Sequence, residues 1–184
     1  MARRVLICLA EGFEDIEAVA PIDVLTRCGF EVTVASLAPG PVRAAYGLTL
    51  VPTTTIDNAH GLYDAIVFPG GRKNAQALAG DERVVRLARE HYRAGKLVAA
   101  ICAAPSHVLG EAAGILKGKR SSGDPSFDDK LAESGAIVTG ENVTMDGNII
   151  TAMGPGAAMP FALAIADYLG ASSAVEGFRK KWRI

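Results

Sequence analysis

The stretch from Lys96 to Pro105, KLVAAICAAP, limits what this chain can fold into more than any other. Leu97 to Ile101 is a short apolar run behind the turn residues Ala94, Gly95 and Lys96. A run of that length reads as a fully buried strand, although periodicity alone does not decide so short a piece. The strand must then stop. Ala103 and Ala104 carry little bulk where the chain has to turn sharply, and Pro105 suits the first turn of a helix, where no intrahelical donor is needed. The expected order is strand, cysteine, helix. That places the Cys102 thiol at the carboxyl end of a central strand, beside a helix N-terminus whose partial positive charge favours thiolate. The nucleophile of α/β-hydrolases is displayed in the same way, but the Gly-x-Ser-x-Gly signature is missing here. A cysteine beside a hydrophobic strand is also a common small core residue. From this stretch alone both readings stand.

Around it, apolar runs of strand length alternate with longer segments of helical period, the pattern of a parallel sheet covered on both faces. Arg4 to Ala10 is the first strand. Glu11 to Asp15 turns the chain, and Ile16, Val19, Ala20, Val24 and Leu25 recur at helical spacing as far as Gly29, which ends the helix. Glu31 to Ser36 is a second strand, and Val42 to Val51, broken at Gly47, reads as an antiparallel excursion. Ala65 to Phe68 is a third core strand that ends in Pro69-Gly70-Gly71, and Asp81 caps an amphipathic helix that runs to Arg93. Beyond the cysteine, Ser106 to Ala113 continues as helix, and Asp128 to Ser134 forms a shorter one after the loop Ser121 to Ser126. Val143-Thr144 and Ile149 to Ala152 flank Asp146-Gly147 as a hairpin. Gly154-Pro155-Gly156 makes a tight turn before the apolar helix Phe161 to Leu169.

Composition closes off several function classes. With 184 residues, 49% hydrophobic and 21% charged, the chain has the make-up of one globular domain over residues 1–184. A net charge of -1 offers no global attraction for nucleic acid or an anionic membrane. Residues 172–184 form a basic C-terminal tail with Arg179, Lys180, Lys181 and Arg183 around Trp182. Such a charge run reads as solvated surface ahead of a weak nucleic-acid or membrane contact, with the Trp182 ring packed back on the body. No apolar run approaches a membrane span and no cleavable signal is evident, so a cytoplasmic location is expected. Cys8, Cys28 and Cys102 are far apart, with no disulfide framework and no Cys-x-x-Cys metal pair. Cys8 reads as a packed residue of the first strand.

Three loops follow strands expected to be neighbours: EGFEDIE, PGG and CAAP. Ligands of open α/β sheets bind outside the carboxyl ends of the strands, so these loops should share one cleft. Gly70 and Gly71 allow close approach of backbone amides, which with that of Ala103 can hold an oxyanion. Glu14 and Asp15 complement the helix dipole as structural acids. Glu17, one turn further in, faces the cleft in this reading. If partly buried it stays neutral and donates a hydrogen bond to the thiolate.

The pieces AEGFEDIEAVAPIDVL, DAIVFPGG, AAICAAP and DGNIITAMGPG followed by FALAIADYL resemble the ThiJ/PfpI superfamily, in its branch related to the Parkinson's-disease-associated protein deglycase and the bacterial ThiJ-like proteins. The resemblance covers nearly the whole chain in order. It implies a flavodoxin-like three-layer sandwich with a mainly parallel central sheet, a nucleophile elbow at Cys102, Glu17 against the cysteine sulfur, pocket amides at Gly71 and Ala103, and a homodimer. It also implies no cofactor and no metal. Two positions depart from the pattern. Asp124 precedes Pro125 where relatives near the human protein carry a histidine and many bacterial relatives an aromatic residue. It is a candidate third polar group, although Ser-Gly-Asp-Pro favours a surface-loop aspartate. Tyr46 stands where relatives often have arginine, in the excursion that would border the partner subunit.

Histidine positions narrow the chemistry. No histidine lies beyond His107, so the Cys-His-Glu triad of a glutamine amidotransferase is absent. The PfpI-type proteases place a histidine directly after the cysteine, where this chain has Ala103. His107, five residues after Cys102, should point away from the thiol, and His60 and His91 read as surface residues. The resemblance therefore implies a glyoxalase or deglycase that acts on methylglyoxal-type dicarbonyls or glycated amines through Cys102 and Glu17. The alternatives are a cysteine-based oxidative-stress sensor or redox-regulated chaperone, and a binding protein that keeps the fold without the activity.

Overall fold

The computed structural model describes residues 2–184. Its strands follow the apolar runs: β1 (Arg4–Leu9) and β2 (Glu31–Ser36), the short pair β3 (Val42–Arg43) and β4 (Thr49–Leu50), β5 (Thr54–Thr55), β6 (Ala65–Phe68) and β7 (Leu97–Ile101). Then come β8 (Arg120–Ser121), β9 (Ile137–Val138), β10 (Val143–Asp146) and β11 (Ile149–Ala152). The central sheet has the order β10-β11-β7-β6-β1-β2-β5 and is parallel except for β10. Its direction of growth reverses between β1 and β6. In a flavodoxin-like sheet that switch point opens the ligand crevice.

Helices α1 (Asp15–Arg27), α5 (Ala158–Tyr168) and α6 (Ser172–Trp182) pack together, as do α2 (Arg72–Ala79), α3 (Glu82–Arg93) and the wide-turned helix Pro105–Ala112. The short α4 (Asp128–Glu133) leans on the last of these. Between the layers lie fully buried Phe13, Leu6, Ile7, Phe68, Ile101 and Phe161. Each such side chain contributes about 1.5–3 kcal/mol of transfer free energy. No helix among the described residues is long and apolar enough to cross a membrane.

Three expectations are corrected and one is extended. First, helix α1 turns a different face inward: it buries Glu17, Ala18, Pro21, Val24 and Leu25, and leaves Ile16 51% exposed. Second, the basic tail keeps Arg179, Lys180, Lys181 and Arg183 exposed as expected and is in addition a helix, because Val175, Phe178 and Trp182 recur at helical spacing and cover α5. Trp182 does pack back, stacked on Phe178 with ring centroids 4.4 Å apart. Third, the hairpin turn is Gly147-Asn148, one residue later than the Asp-Gly signal, since Asp146 still pairs with Ile149. Fourth, His91 is buried and not on the surface. Its Nδ1–H donates to the Leu87 carbonyl at 2.7 Å, its Nε2 accepts from the Tyr63 N–H at 3.0 Å, and burial lowers its pKa.

Candidate active site

Cys102 sits on the turn between β7 and the Pro105 helix with φ +64, a left-handed conformation costly for a residue with a side chain. Its N–H donates to the Ala152 carbonyl at 3.0 Å, and its carbonyl accepts from the Asp124 N–H at 2.8 Å, so both flanks hold the elbow. Small residues make room for it. A Cβ on Gly123 would come 3.2 Å from the Cys102 carbonyl oxygen, and one on Gly70 would fall 2.5 Å from the Cys102 Cβ.

Glu17 reaches this elbow from α1. Glu14 caps that helix by accepting from the Glu17 N–H at 2.9 Å, which fixes the first turn and sends the Glu17 side chain inward. Glu17 is fully buried. Its Oε2 accepts from the Gly70 N–H at 2.8 Å, while Oε1 has no hydrogen-bond partner among the described residues. Burial first, and then the charge of Glu14, push the Glu17 carboxyl up to about 8, against the Gly70 amide and the Cys102 thiol, which lower it. Near neutral pH it keeps its proton, as the sequence reading required.

The Gly70 amide is thereby committed to Glu17, which corrects its assignment as an oxyanion donor. The amides of Gly71 and Ala103 are the ones directed at the Cys102 sulfur. Gly71 has φ +86, and a Cβ there would run into the Gly12 carbonyl and come 2.7 Å from the Glu14 nitrogen. Only glycine fits so close a passage.

The expectation of a thiol already acidified by the helix terminus is also corrected. Burial, then the charges of Glu17 and Asp124, push Cys102 up to about 12, and the Gly71 and Ala103 amides only partly offset them. Both groups are driven toward their neutral forms. While Glu17 keeps its proton, the like-charge contribution to the thiol vanishes, so each group's titration depends on the charge state of the other and the two titrate as a pair.

Asn74 belongs to this site and escaped the sequence reading. Fully buried on α2, its Nδ2 donates to the carbonyls of Pro69 at 2.7 Å and Gly70 at 3.1 Å, and its Oδ1 accepts from the Ala10 N–H at 2.6 Å. It joins the end of β1 to the loop after β6. The local signal was an amide three residues beyond a Gly-Gly pair, on a helix whose other polar residues are exposed.

The three loops do form one cleft, of about 790 Å³, with Cys102, Ala103 and Gly71 on one side and Glu14, Asp124, Phe127 and Pro155 among its other walls. Asp124 is half-buried here, which corrects its placement on an outer loop. Its Oδ1 accepts from the Ser126 N–H at 2.8 Å as a turn cap, and its Oδ2 lies 3.7 Å from Cys102 Sγ. His107 is buried and bonds the Ala103 carbonyl at 2.9 Å, with its ring edge on Phe127. His60 is exposed, and Cys8 lies buried within β1.

The DJ-1/PfpI family model matches residues 3–168. The chain belongs to that family. It is 40% identical over 166 residues to protein DJ-1 homolog B of Arabidopsis thaliana, a match that covers 89% of this chain and 37% of that relative. A protein of Pyrococcus abyssi named a deglycase is 33% identical over 154 residues, covering 83% of this chain and 91% of its own. The crystal structure of Drosophila melanogaster DJ-1beta superposes with a TM-score of 0.93 at 34% identity, over 100% of this chain and 99% of that one. Tyr46 is 81% exposed at the cleft mouth, and its N–H is held by Asp15 Oδ2 at 2.9 Å.

Proposed function

We propose that this chain is a glyoxalase or deglycase enzyme that acts on methylglyoxal-type dicarbonyls or their amine adducts. The observation that carries the reading is the pairing of a protonated, buried Glu17, one oxygen of which is unpartnered, with a strained Cys102 whose sulfur faces two amides in an open cleft. The thiol proton leaves as the sulfur attacks the aldehyde carbon, a C–S bond forms, and the carbonyl oxygen is protonated to give a hemithioacetal. Glu17 gives its proton to the neighbouring ketone oxygen and takes the one on the former aldehyde carbon, forming the enediol; it then returns that proton to the adjacent carbon and takes up the O–H proton of the sulfur-bearing carbon. Collapse to a 2-hydroxyacyl thioester involves no external oxidant. Water cleaves the C–S bond, releasing the hydroxy acid and the thiol. For an amine adduct, the same addition is followed by loss of the amine. The chemistry draws on no cofactor or metal.

A lactate time course from methylglyoxal, with wild type and Cys102→Ser in parallel, tests this. Lactate from the wild type alone is expected; none from either, or equal rates from both, removes the proposal.

The same geometry favours a second reading. A neutral Glu17 and the Gly71 and Ala103 amides are donors suited to a Cys102 sulfinate, as a peroxide sensor would need. Mass spectrometry after limiting peroxide should then find oxidation concentrated on Cys102, and an even spread over Cys8, Cys28 and Cys102 rejects it. For either role we propose a homodimer through the exposed face of α1, where Ile16 is 51% exposed beside the excursion whose Tyr46 and Leu48 N–H groups donate to Asp15.

A further inference from the structure

The cleft mouth carries three cations that the proposed chemistry leaves unused. Arg43 comes from β3, and Arg72 and Lys73 open α2; all three are exposed and line the cavity that contains Cys102. Among the described residues none of their charged groups is in an ion pair or hydrogen bond. Elsewhere on the surface, Arg3, Arg27, Arg83 and Lys119 are paired with carboxylates.

They are nevertheless placed. The Lys73 stem lies over the backbone of Gly12, where a Cβ would come within 2.8 Å of the Lys73 Cβ, and the Arg72 guanidinium stands 5.2 Å from the Phe127 ring centroid. The Arg43 carbonyl accepts from the Gly12 N–H at 2.8 Å. Glycine at position 12 lets a β1 loop, the excursion and α2 converge beside the thiol.

Three acids line the same cleft, but each has an oxygen turned to backbone. Glu11 accepts from the Arg43 N–H at 3.3 Å, Glu14 from the Glu17 N–H at 2.9 Å and Asp124 from the Ser126 N–H at 2.8 Å. The remaining Asp124 oxygen faces the sulfur at 3.7 Å. Negative charge therefore sits beside the reacting atom, and free positive charge at the rim. A carbonyl compound that carries its own anion next to the electrophilic carbon meets Asp124, whereas one that carries it on a short tail meets the cations.

We propose that Arg43, Arg72 and Lys73 select dicarbonyls whose reactive end is neutral and whose tail ends in an anion, a carboxylate or a phosphate. This rests on the glyoxalase reading for its chemistry and not for its binding. The reaction itself is unchanged: 4,5-dioxopentanoate plus water gives 2-hydroxyglutarate through the same thioester, with no net oxidation.

Two measurements separate the ideas. The first compares kcat/KM for 4,5-dioxopentanoate and methylglyoxal in wild type, Arg72→Gln, Lys73→Gln and the double variant. The ratio should fall about threefold for each single change and about tenfold for both, and in wild type it should drop as salt is raised. Arg86→Gln, on α3 away from the cleft, should leave the ratio as it is. The second compares Cys102 modification by 3-maleimidopropionate and by N-ethylmaleimide, each referred to free cysteine and localised by peptide mass spectrometry. The anionic reagent should be favoured in wild type and lose its advantage in the double variant. Should neither dicarbonyl be turned over, the glyoxalase reading fails while the maleimide ratio still judges the rim. A maleimide ratio no higher than that of free cysteine, or one that the double variant does not alter, overturns the proposal.

Discussion

Gly70 donates its N–H to Glu17 Oε2 at 2.8 Å, and a Cβ at that position would collide with the same oxygen. The absence of a side chain is what lets the carboxyl approach the elbow. Gly70→Ala should therefore push Glu17 and Cys102 apart, at a cost of about 1–3 kcal/mol from overpacking. Thermal melting measures the cost. The rate of Cys102 modification by N-ethylmaleimide should change in the same variant, and an unchanged rate with unchanged melting shows that the site relaxes without consequence.

Glu17 gives the fold a signed dependence on pH. Its carboxyl has an ordinary value of 4.5 and rises to about 8 in the folded chain. Between those values the folded state holds more protons than the unfolded state, so stability falls as pH rises through this window. Below it the penalty is absent; above it the penalty is complete. Glu17→Gln cannot ionise and should be the more stable protein at pH 8 by about 2–4 kcal/mol, with the difference disappearing near pH 5. Melting curves across that range check this. Activity should move the other way, with a loss of about 100-fold or more in lactate formation, because the proton carrier is gone.

The strands around this pair were legible because each is a run of buried apolar residues between turn signals, and Cys102 was legible because Pro105 and two alanines mark the elbow. The face of α1 was not. Periodicity counts Ile16 as core and a glutamate as surface, whereas the elbow needs a buried acid, and Ile16 is left outside. His91 was misplaced for a related reason: the partner that satisfies its Nε2, the Tyr63 N–H, is 28 residues away, and a polar side chain with a distant backbone partner looks exposed in sequence. The same applies to Asn74 and Gly70, whose roles depend on contacts 64 and 53 residues distant. The Cys102 environment was misjudged because burial and nearby carboxylates outweigh the amides, a balance set by packing.

Asn74→Ala should leave the Ala10 N–H and the Pro69 carbonyl without their side-chain partner, while the Gly70 carbonyl keeps the Glu14 N–H at 3.1 Å. Two buried groups unsatisfied cost about 2–4 kcal/mol together. Denaturant unfolding gives the value. Asn74→Asp, assayed with its carboxyl protonated, keeps an acceptor for Ala10 and has a single O–H in place of the two N–H donors, so it should fall between wild type and alanine.

Asp124 combines two functions that one substitution can separate. Its Oδ1 caps the turn at Ser126, and its charge is among the causes that raise the Cys102 thiol. Asparagine preserves an acceptor for the Ser126 N–H and removes the charge; alanine removes both. Asp124→Asn should therefore retain wild-type melting and lower the thiol pKa, shifting the alkaline rise of N-ethylmaleimide modification to lower pH. At neutral pH the modification rate should increase several-fold, about what a fraction of a pKa unit to one unit supplies. Asp124→Ala should show the same shift with a loss of about 1 kcal/mol from the missing cap. If the asparagine variant modifies no faster than wild type, the aspartate's influence on Cys102 is steric and its charge is screened by the open cleft.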